Sequence, residues 1–136
     1  MTRVSFYALS TNSEESRRLF ACRLAEKAFS MGHHIFIQVE SIAQAKEVDD
    51  LLWSFRPNSF VPHSSDPEQK VAVQIGVEAN QHDDILINLT NSPNIQHENF
   101  KHINEILTSD EESLKQGRNS YRFYQTAGYK PETHKI

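Results

Sequence analysis

Short runs of β-branched and aromatic residues alternate along this chain with longer segments of helical periodicity. VSFYAL (residues 4–9) and HIFIQVE (residues 34–40) have the composition of buried strands. A helix-length segment follows each of them, and Ser13 and Ser41 stand where a side-chain oxygen can cap a helix. Because parallel strands need a crossover helix between them, this order predicts an α/β fold.

The rest of the chain extends the same pattern. VAVQIG (71–76) and DILINLT (84–90) are typical of strands, HINEILT (102–108) fits either a strand or a short helix, and a last helix is predicted over 111–127 before Gly128. The right-handed crossover rule places the two early helices on one face. We therefore expect a Rossmann-like fold, with a largely parallel central sheet flanked by helices, in a single domain over residues 1–136.

The composition predicts a folded protein that is not attached to a membrane. Of its residues 38% are hydrophobic and 24% are charged, which is the globular range. No apolar run approaches the roughly 18 to 20 residues of a membrane-spanning helix, and the first residues lack the layout of a secretory signal. The single cysteine, Cys22, excludes an internal disulfide and suits a buried helical position. We expect a cytoplasmic protein.

The sequence lacks the motifs that hold cofactors or carry out catalysis on such sheets. No GxGxxG follows the first strand and no GxxxxGK[ST] occurs, so the loops that hold phosphates are missing. No GxSxG marks a nucleophilic serine. We expect no catalytic residue and no cofactor.

Seven histidines keep a metal site open as an alternative. His97 and His102 lie five residues apart, and QHDD (residues 81–84) places a histidine beside two aspartates. The single cysteine and the lack of an HxxxH pair count against zinc. We expect no metal, and a metal- or nucleotide-dependent enzyme of Rossmann outline is the alternative hypothesis.

Charge is divided unevenly along the chain. Residues 113–136 hold five basic residues and one acid, a net charge of +4, whereas the preceding residues hold nine basic and 17 acidic residues, a net charge of -8. An acidic protein with a basic C-terminal part indicates a localised binding surface for an anion.

Three of these bases share one side of the last predicted helix. Lys115, Arg118 and Arg122 follow i, i+3 and i+7 spacing, and Tyr121 lies at the boundary with the side predicted to face the core. Guanidinium groups bind carboxylates and phosphates, and an aromatic wall suits an anion that carries an apolar group. A short acidic peptide fits this description. A solvated cationic face and direct binding of single-stranded DNA are the alternatives, although the acidic remainder of the chain repels a phosphate backbone.

A second unusual stretch, LLWSFRPNSFVPHS (residues 51–64), is apolar where connecting chain is usually polar. Its aromatic and apolar residues are Trp53, Phe55, Phe60, Val61 and Pro62. Either they complete the core, or they form a hydrophobic surface for a permanent partner, since aromatic anchors dominate protein interfaces.

Four segments carry a resemblance to a known family: VSFYAL, LLWSFRPNSFVPH, DILINL and SLKQGRNSYRFYQTAGY. Over nearly its whole length the chain resembles the chi subunits of bacterial DNA polymerase III. The resemblance implies a Rossmann-like accessory protein of the clamp loader that acts in DNA replication without catalytic activity of its own.

The resemblance also implies two partners, so that DNA would be reached only indirectly. One is the acidic C-terminal tail of single-stranded DNA-binding protein, whose contact positions in this chain would be Lys115, Arg118, Tyr121 and Arg122. The other is the psi subunit, which joins chi to the clamp loader and whose contact positions would be Trp53, Phe55, Phe60, Val61 and Pro62. Gly117 departs from the family's pattern, and a glycine inside the last helix is expected to cost roughly 1 kcal/mol of stability.

Overall fold

The computed structural model describes residues 2–57, 60–79, 82–94 and 96–136. Within these ranges the first half of the chain forms β1 (Arg3–Ala8), α1 (Glu14–Ser30), β2 (Ile35–Gln38), α2 (Ile42–Ser54) and β3 (His63–Ser64). The second half forms β4 (Val73–Gly76), β5 (Ile85–Asn88), β6 (His102–Leu107), α3 (Glu111–Thr126) and β7 (Glu132–Lys135). A short 3-10 helix, His97–Asn99, precedes β6.

All seven strands join one sheet in the order β3-β4-β2-β5-β6-β1-β7, and every neighbouring pair is parallel. This confirms the α/β prediction and shows that the HINEILT segment forms a strand, His102–Leu107, rather than a helix. β6 lies between β5 and β1 and is buried on both sides, with Ile103 facing one core and Ile106 facing the other. A central parallel strand of this kind needs apolar residues on both faces.

The helices divide between the two faces of the sheet. α1 and α2 contact each other and cover one face, where Ile37, Ile75 and Ile87 are completely buried among their apolar side chains. The two early helices thus share one face, as the crossover rule predicted. α3 covers part of the opposite face, where Phe6 and Tyr124 are buried.

The helices begin and end at the capping residues and glycines that the sequence predicted. The side chains of Ser13, Ser41 and Asp110 each accept a hydrogen bond from the backbone N–H three residues later. Gly32 and Gly128 follow α1 and α3 with φ of +88° and +100°, a backbone region that glycine enters without a steric penalty.

Two strands were not predicted. β3 is two residues long, and β7 consists of four exposed residues at the edge of the sheet. Neither has the alternation of apolar and polar residues that identifies a strand in sequence. Hydrogen bonding to β1 makes β7 a strand, including the bond from the N–H of Ile136 to the carbonyl of Ala8.

Gly117 has a structural role that helix propensity alone does not show. It is buried in α3, and a Cβ atom at this position would lie 2.6 Å from a methyl carbon of Leu107 on β6. The glycine therefore lets α3 approach the sheet closely, so the predicted cost of a poor helix former is offset by packing.

Candidate partner-binding surfaces

The three bases of the last helix form a cationic stripe on the outside of α3. Lys115, Arg118 and Arg122 are exposed, and none of them forms an ion pair with an acid in the part of the chain that the structure describes. Their charges are therefore available to an external anion.

Tyr121 lies next to the cationic stripe and packs against β1 and the chain that leads into β7. Its ring lies 5.4 Å from the ring of Phe6, between centroids, and its hydroxyl donates to the carbonyl of Pro131 at 3.2 Å. The ring is half-buried, so one side packs on the sheet and the rest stays accessible beside Arg118 and Arg122. An aromatic wall next to cationic groups suits a ligand with an anion and an apolar group.

The edge of the sheet at β7 lies on the same side of the molecule as the cationic stripe. Thr133 and Lys135 pair with Phe6 and Ala8, and paired residues of parallel strands point to the same face, so both lie on the α3 side of the sheet. Leu114, 37% exposed, lies on the same side of α3 as Tyr121 because the two are seven residues apart. The sequence predicted that Leu114 would face the core beside Tyr121, but it is 37% exposed. It did not identify Thr133 and Lys135 as part of this surface, because their placement depends on a strand that was not predicted.

A buried polar network holds α3 against the sheet. The Tyr124 hydroxyl donates to Glu105 of β6 at 2.8 Å and accepts from the backbone N–H of Asn94 at 3.1 Å. The side chain of Asn88 donates to the same carboxyl group of Glu105 at 2.9 Å. Burial raises the pKa of Glu105 to about 7, because the charged form loses its hydration. Burial also raises the pKa of Tyr124, so it stays a hydrogen-bond donor.

The second candidate site is the aromatic surface, defined here by Trp53 and Phe60. These two side chains are 64% and 71% exposed, which is unusual for large apolar groups. Phe60 also borders a hollow of about 530 Å³ whose other walls include Phe29 and Arg56. Arg56 forms an ion pair with Glu26 at 2.9 Å along the same hollow.

The other apolar residues of the 51–64 stretch lie deeper. Val61 is 4% exposed and belongs to the core beneath α1 and α2. Phe55 packs against the same core and is half-buried, as is Pro62. The stretch therefore divides into two exposed aromatic groups and a supporting layer, and Val61 belongs to the supporting layer rather than to the contact surface. Asn58 and Ser59 lie outside the described residues.

Comparisons with known proteins agree with this architecture. The family model described as "DNA polymerase III chi subunit, HolC" matches residues 1–132. The chain is 37% identical to DNA polymerase III subunit chi of Pseudomonas aeruginosa, in an alignment that covers 100% of this chain and 98% of the relative. It is 32% identical to the subunit of the same name from Haemophilus influenzae, over 96% of this chain and 95% of the relative.

The chain belongs to the DNA polymerase III chi subunit family. The recognition made from sequence is confirmed, and with it a role as a subunit of the replicative polymerase. Among solved structures, T4 UvsW matches with a TM-score of 0.65 at 10% identity, over 98% of this chain and 42% of that protein. At this identity the likeness concerns the fold alone.

The histidines and acids that could have held a metal have structural contacts in this chi-family chain. The Asp84 carboxylate accepts from the backbone N–H of His34 at 3.0 Å and contacts His33 Nδ1 at 3.1 Å. Burial raises the pKa of Asp84, but these hydrogen bonds and the nearby charges outweigh it and lower the pKa below its ordinary value. His82 packs against the ring of Phe36. Gln81 of the same motif lies outside the described residues.

The other histidine pair is separated by the fold. His97 contacts the hydroxyl of Tyr129 at 2.7 Å, whereas His102 contacts the hydroxyl of Ser5 at 2.8 Å. Among the described residues no group of three or more histidine, cysteine, aspartate or glutamate side chains is arranged to hold a metal ion.

The three helices of the described residues are too short or too polar to span a membrane.

The carboxyl edge of the sheet, where related folds hold nucleotide phosphates, is occupied by an arginine of α1. Arg17 donates to the carbonyls of Ile106, Leu89 and Thr90 at 2.8, 3.2 and 3.1 Å. The guanidinium group is thus committed to carbonyls of the chain itself rather than to an external phosphate. Cys22 is completely buried in α1, and burial raises the pKa of its thiol to about 12, so it is not a nucleophile.

Proposed function

We propose that this chi-family chain is a non-catalytic accessory subunit of DNA polymerase III that joins two partners during DNA replication. The acidic C-terminal tail of single-stranded DNA-binding protein binds the cationic stripe, and the psi subunit binds the aromatic surface and links the chain to the clamp loader. The observation that carries the proposal is the placement of two exposed surfaces on opposite faces of one sheet.

That placement permits both partners to bind at once. The cationic stripe lies on α3, the helix of one face, and α3 leads into β7 at one edge of the sheet. The aromatic surface follows α2 on the other face, next to β3 at the opposite edge. Because the sheet separates them, a partner at one surface does not cover the other, which is the geometry that an adaptor requires.

The chemistry of the cationic stripe supports an acidic peptide as its ligand. Lys115, Arg118 and Arg122 supply charge, and Tyr121 and Leu114 supply an apolar wall for a large side chain of the peptide. Exposed ion pairs are worth about 0 to 1 kcal/mol each, so the apolar contact provides much of the affinity and the charges provide orientation. A dissociation constant in the micromolar range is expected for so short a ligand, which corresponds to a binding free energy of about 8 kcal/mol.

Direct binding of single-stranded DNA receives less support from the same helix. Stacking of successive bases needs several freely projecting aromatic rings, but the Tyr121 ring packs on Phe6 and leaves only part of its surface accessible. Phe123 packs edge-on against His97, with centroids 5.6 Å apart. The protein reaches DNA through its partner in this proposal.

A pull-down with immobilised single-stranded DNA-binding protein tests the tail contact. We expect the full-length protein to capture this chain and a form without its acidic tail to lose it, while both forms still bind DNA. Retention by the tailless form overturns this half of the proposal. Tight binding of a naked oligonucleotide by this chain would favour direct DNA recognition instead.

Addition of psi tests the adaptor role in the same experiment. Psi should appear on the resin only when this chain and the tail are both present. Capture of psi without this chain, or competition between psi and the tail, would show that the two surfaces do not act together.

A further inference from the structure

The last strand, β7, leaves one edge of the sheet open. Among the described residues it ends the strand order, with β1 on one side and no strand on the other. The N–H of Ile136 donates to the carbonyl of Ala8, so the backbone groups of His134, two residues earlier, also face β1. The N–H and C=O groups of Thr133 and Lys135 therefore point outward, along an edge where a further strand can pair.

Contacts on both faces of the sheet hold this open edge in place. On the face covered by α1, the imidazole ring of His134 stacks on Tyr7 of β1, with centroids 5.1 Å apart and 22° between the ring planes. On the face covered by α3, the Tyr121 hydroxyl donates to the carbonyl of Pro131, just before β7. A ligand strand meets a backbone that is already extended, so less conformational entropy is lost when it pairs.

The cationic stripe lies on the side of α3 that is nearer to β7. Phe123, on one side of the helix, packs on His97 in the chain between β5 and β6. Tyr121, on the other side, reaches the chain that leads into β7. Arg118 shares the Tyr121 side, since residues three apart are neighbours on a helix surface. The open edge and the cations of α3 therefore border the same space.

The two faces of β7 differ in charge. Thr133 and Lys135 lie on the face of α3, whereas Glu132, the acid of β7, pairs with Ser5 and lies on the face of α1. A strand added to the open edge turns every second side chain toward the face of α3, where Lys135 and Arg118 lie. Carboxylates at those positions are attracted and basic side chains are repelled, so the edge fits an acidic peptide.

We propose that the acidic tail of single-stranded DNA-binding protein binds as an eighth strand, hydrogen bonded to the outward backbone groups of Thr133 and Lys135 beside the cationic stripe. Main-chain bonds hold the tail extended, and the stripe selects acidic side chains at alternate tail positions. This mode of binding rests on the proposed function, whereas the open edge of β7 does not.

Tail peptides methylated at a single backbone nitrogen test the added strand with the wild-type protein. Alternate N–H groups of a strand face the same neighbour, so a methyl group moved along the peptide should weaken binding with a period of two. We expect the dissociation constant, measured by fluorescence anisotropy, to rise about tenfold at positions that face β7 and to change little at those between. An equal loss at every position, or no loss at any, overturns the added strand.

Thr133→Pro tests the same edge from the side of this chain. Proline removes the outward N–H and places its ring in the path of an added strand, but β7 pairs with β1 through other residues. Thr133→Ala, which keeps the N–H, is the matched control. Tail affinity should fall about tenfold in the proline variant and little in the control. Wild-type tail affinity in a proline variant whose Ile136 amide still exchanges slowly contradicts the proposal.

Amide hydrogen exchange separates this proposal from the proposed function. With the tail peptide bound to the wild-type protein, the amides of Thr133 and Lys135 should exchange about tenfold more slowly, because each has gained a hydrogen bond. If the peptide binds and Arg118→Ala weakens it, but neither amide is slowed, the tail site stands and the added strand falls. A tail peptide that does not bind at all overturns both.

Discussion

The cationic stripe and the aromatic surface are both exposed, but they are built in opposite ways. The cationic stripe consists of long charged side chains on a regular helix, and such groups bind an anion in water with little energy per contact. The aromatic surface consists of two large rings, one in the last turn of α2 and one in the chain that follows it. Such groups bind strongly when a partner removes them from water. The difference predicts a weak, salt-sensitive contact at the first surface and a durable contact at the second.

Truncation of Phe60 should have the largest effect. Phe60→Ala removes a ring that is 71% exposed, so it should leave folding intact and weaken psi binding by about 2 to 4 kcal/mol, the range of interface hot spots. Calorimetry with psi measures this loss. Ile42→Ala, at a residue 83% exposed at the other end of α2, is the matched control. A loss of tail binding together with psi binding would mean that the variant unfolds.

Glu105→Gln tests how the helix under the cationic stripe is held. The folded state keeps the Glu105 proton up to about pH 7, whereas the unfolded state loses it near the ordinary value of 4.5. The stabilisation that the Glu105 proton provides is therefore fully present below the ordinary pKa. The free energy of unfolding falls by about 3 kcal/mol as the pH rises from the ordinary pKa to the pKa of the folded protein. The variant should lack this fall because its side chain has no proton to lose.

Denaturant unfolding at several pH values between about 4 and 8 measures the slope of the free energy of unfolding against pH in the variant and in wild type. Glu68→Gln, at an exposed acid, should keep the wild-type slope. An unchanged slope in Glu105→Gln would mean that the buried carboxyl group is ionised in the folded protein at neutral pH.

Gly117→Ala sharpens the comparison by changing the backbone that carries the cationic stripe. The alanine gains about 1 kcal/mol of helix propensity, but its Cβ meets Leu107, and overpacking costs about 1 to 3 kcal/mol. We expect a net loss of about 1 kcal/mol by denaturant unfolding. Asn119→Ala, at an exposed position of the same helix, should be stabilising. In a Leu107→Ala background the glycine substitution should also become stabilising; a loss of equal size there would show that the methyl contact is not its cause.

Arg118→Ala should have the smallest effect. Removal of one exposed charge should weaken binding of an acidic tail peptide by about 0.5 to 1 kcal/mol, measured by fluorescence anisotropy. Added salt should reduce tail affinity in wild type more than in the variant, and should change psi affinity little. Arg23→Ala, at an exposed arginine of α1, should bind the tail normally. Unchanged tail affinity in Arg118→Ala would remove α3 from the proposed site.

Much of the fold could be predicted because its signals are local. Serine and aspartate caps, the glycines after α1 and α3, and the apolar runs of β1, β2 and β5 each act within a few residues of the chain. The cationic stripe was also predictable, since i, i+3 and i+7 spacing defines one side of a helix. β7 was not predictable, because its residues are polar and only the edge of β1 makes them a strand.

The sequence by itself determined the order of elements, the charge of the last helix and the family, since all three depend on residue types and short spacings. Only the tertiary structure decided that Val61 is buried while Phe60 is exposed and that Leu107 lies opposite Gly117. The physical reason is that burial and pairing depend on contacts between residues distant in sequence, and those contacts exist only after the sheet has assembled.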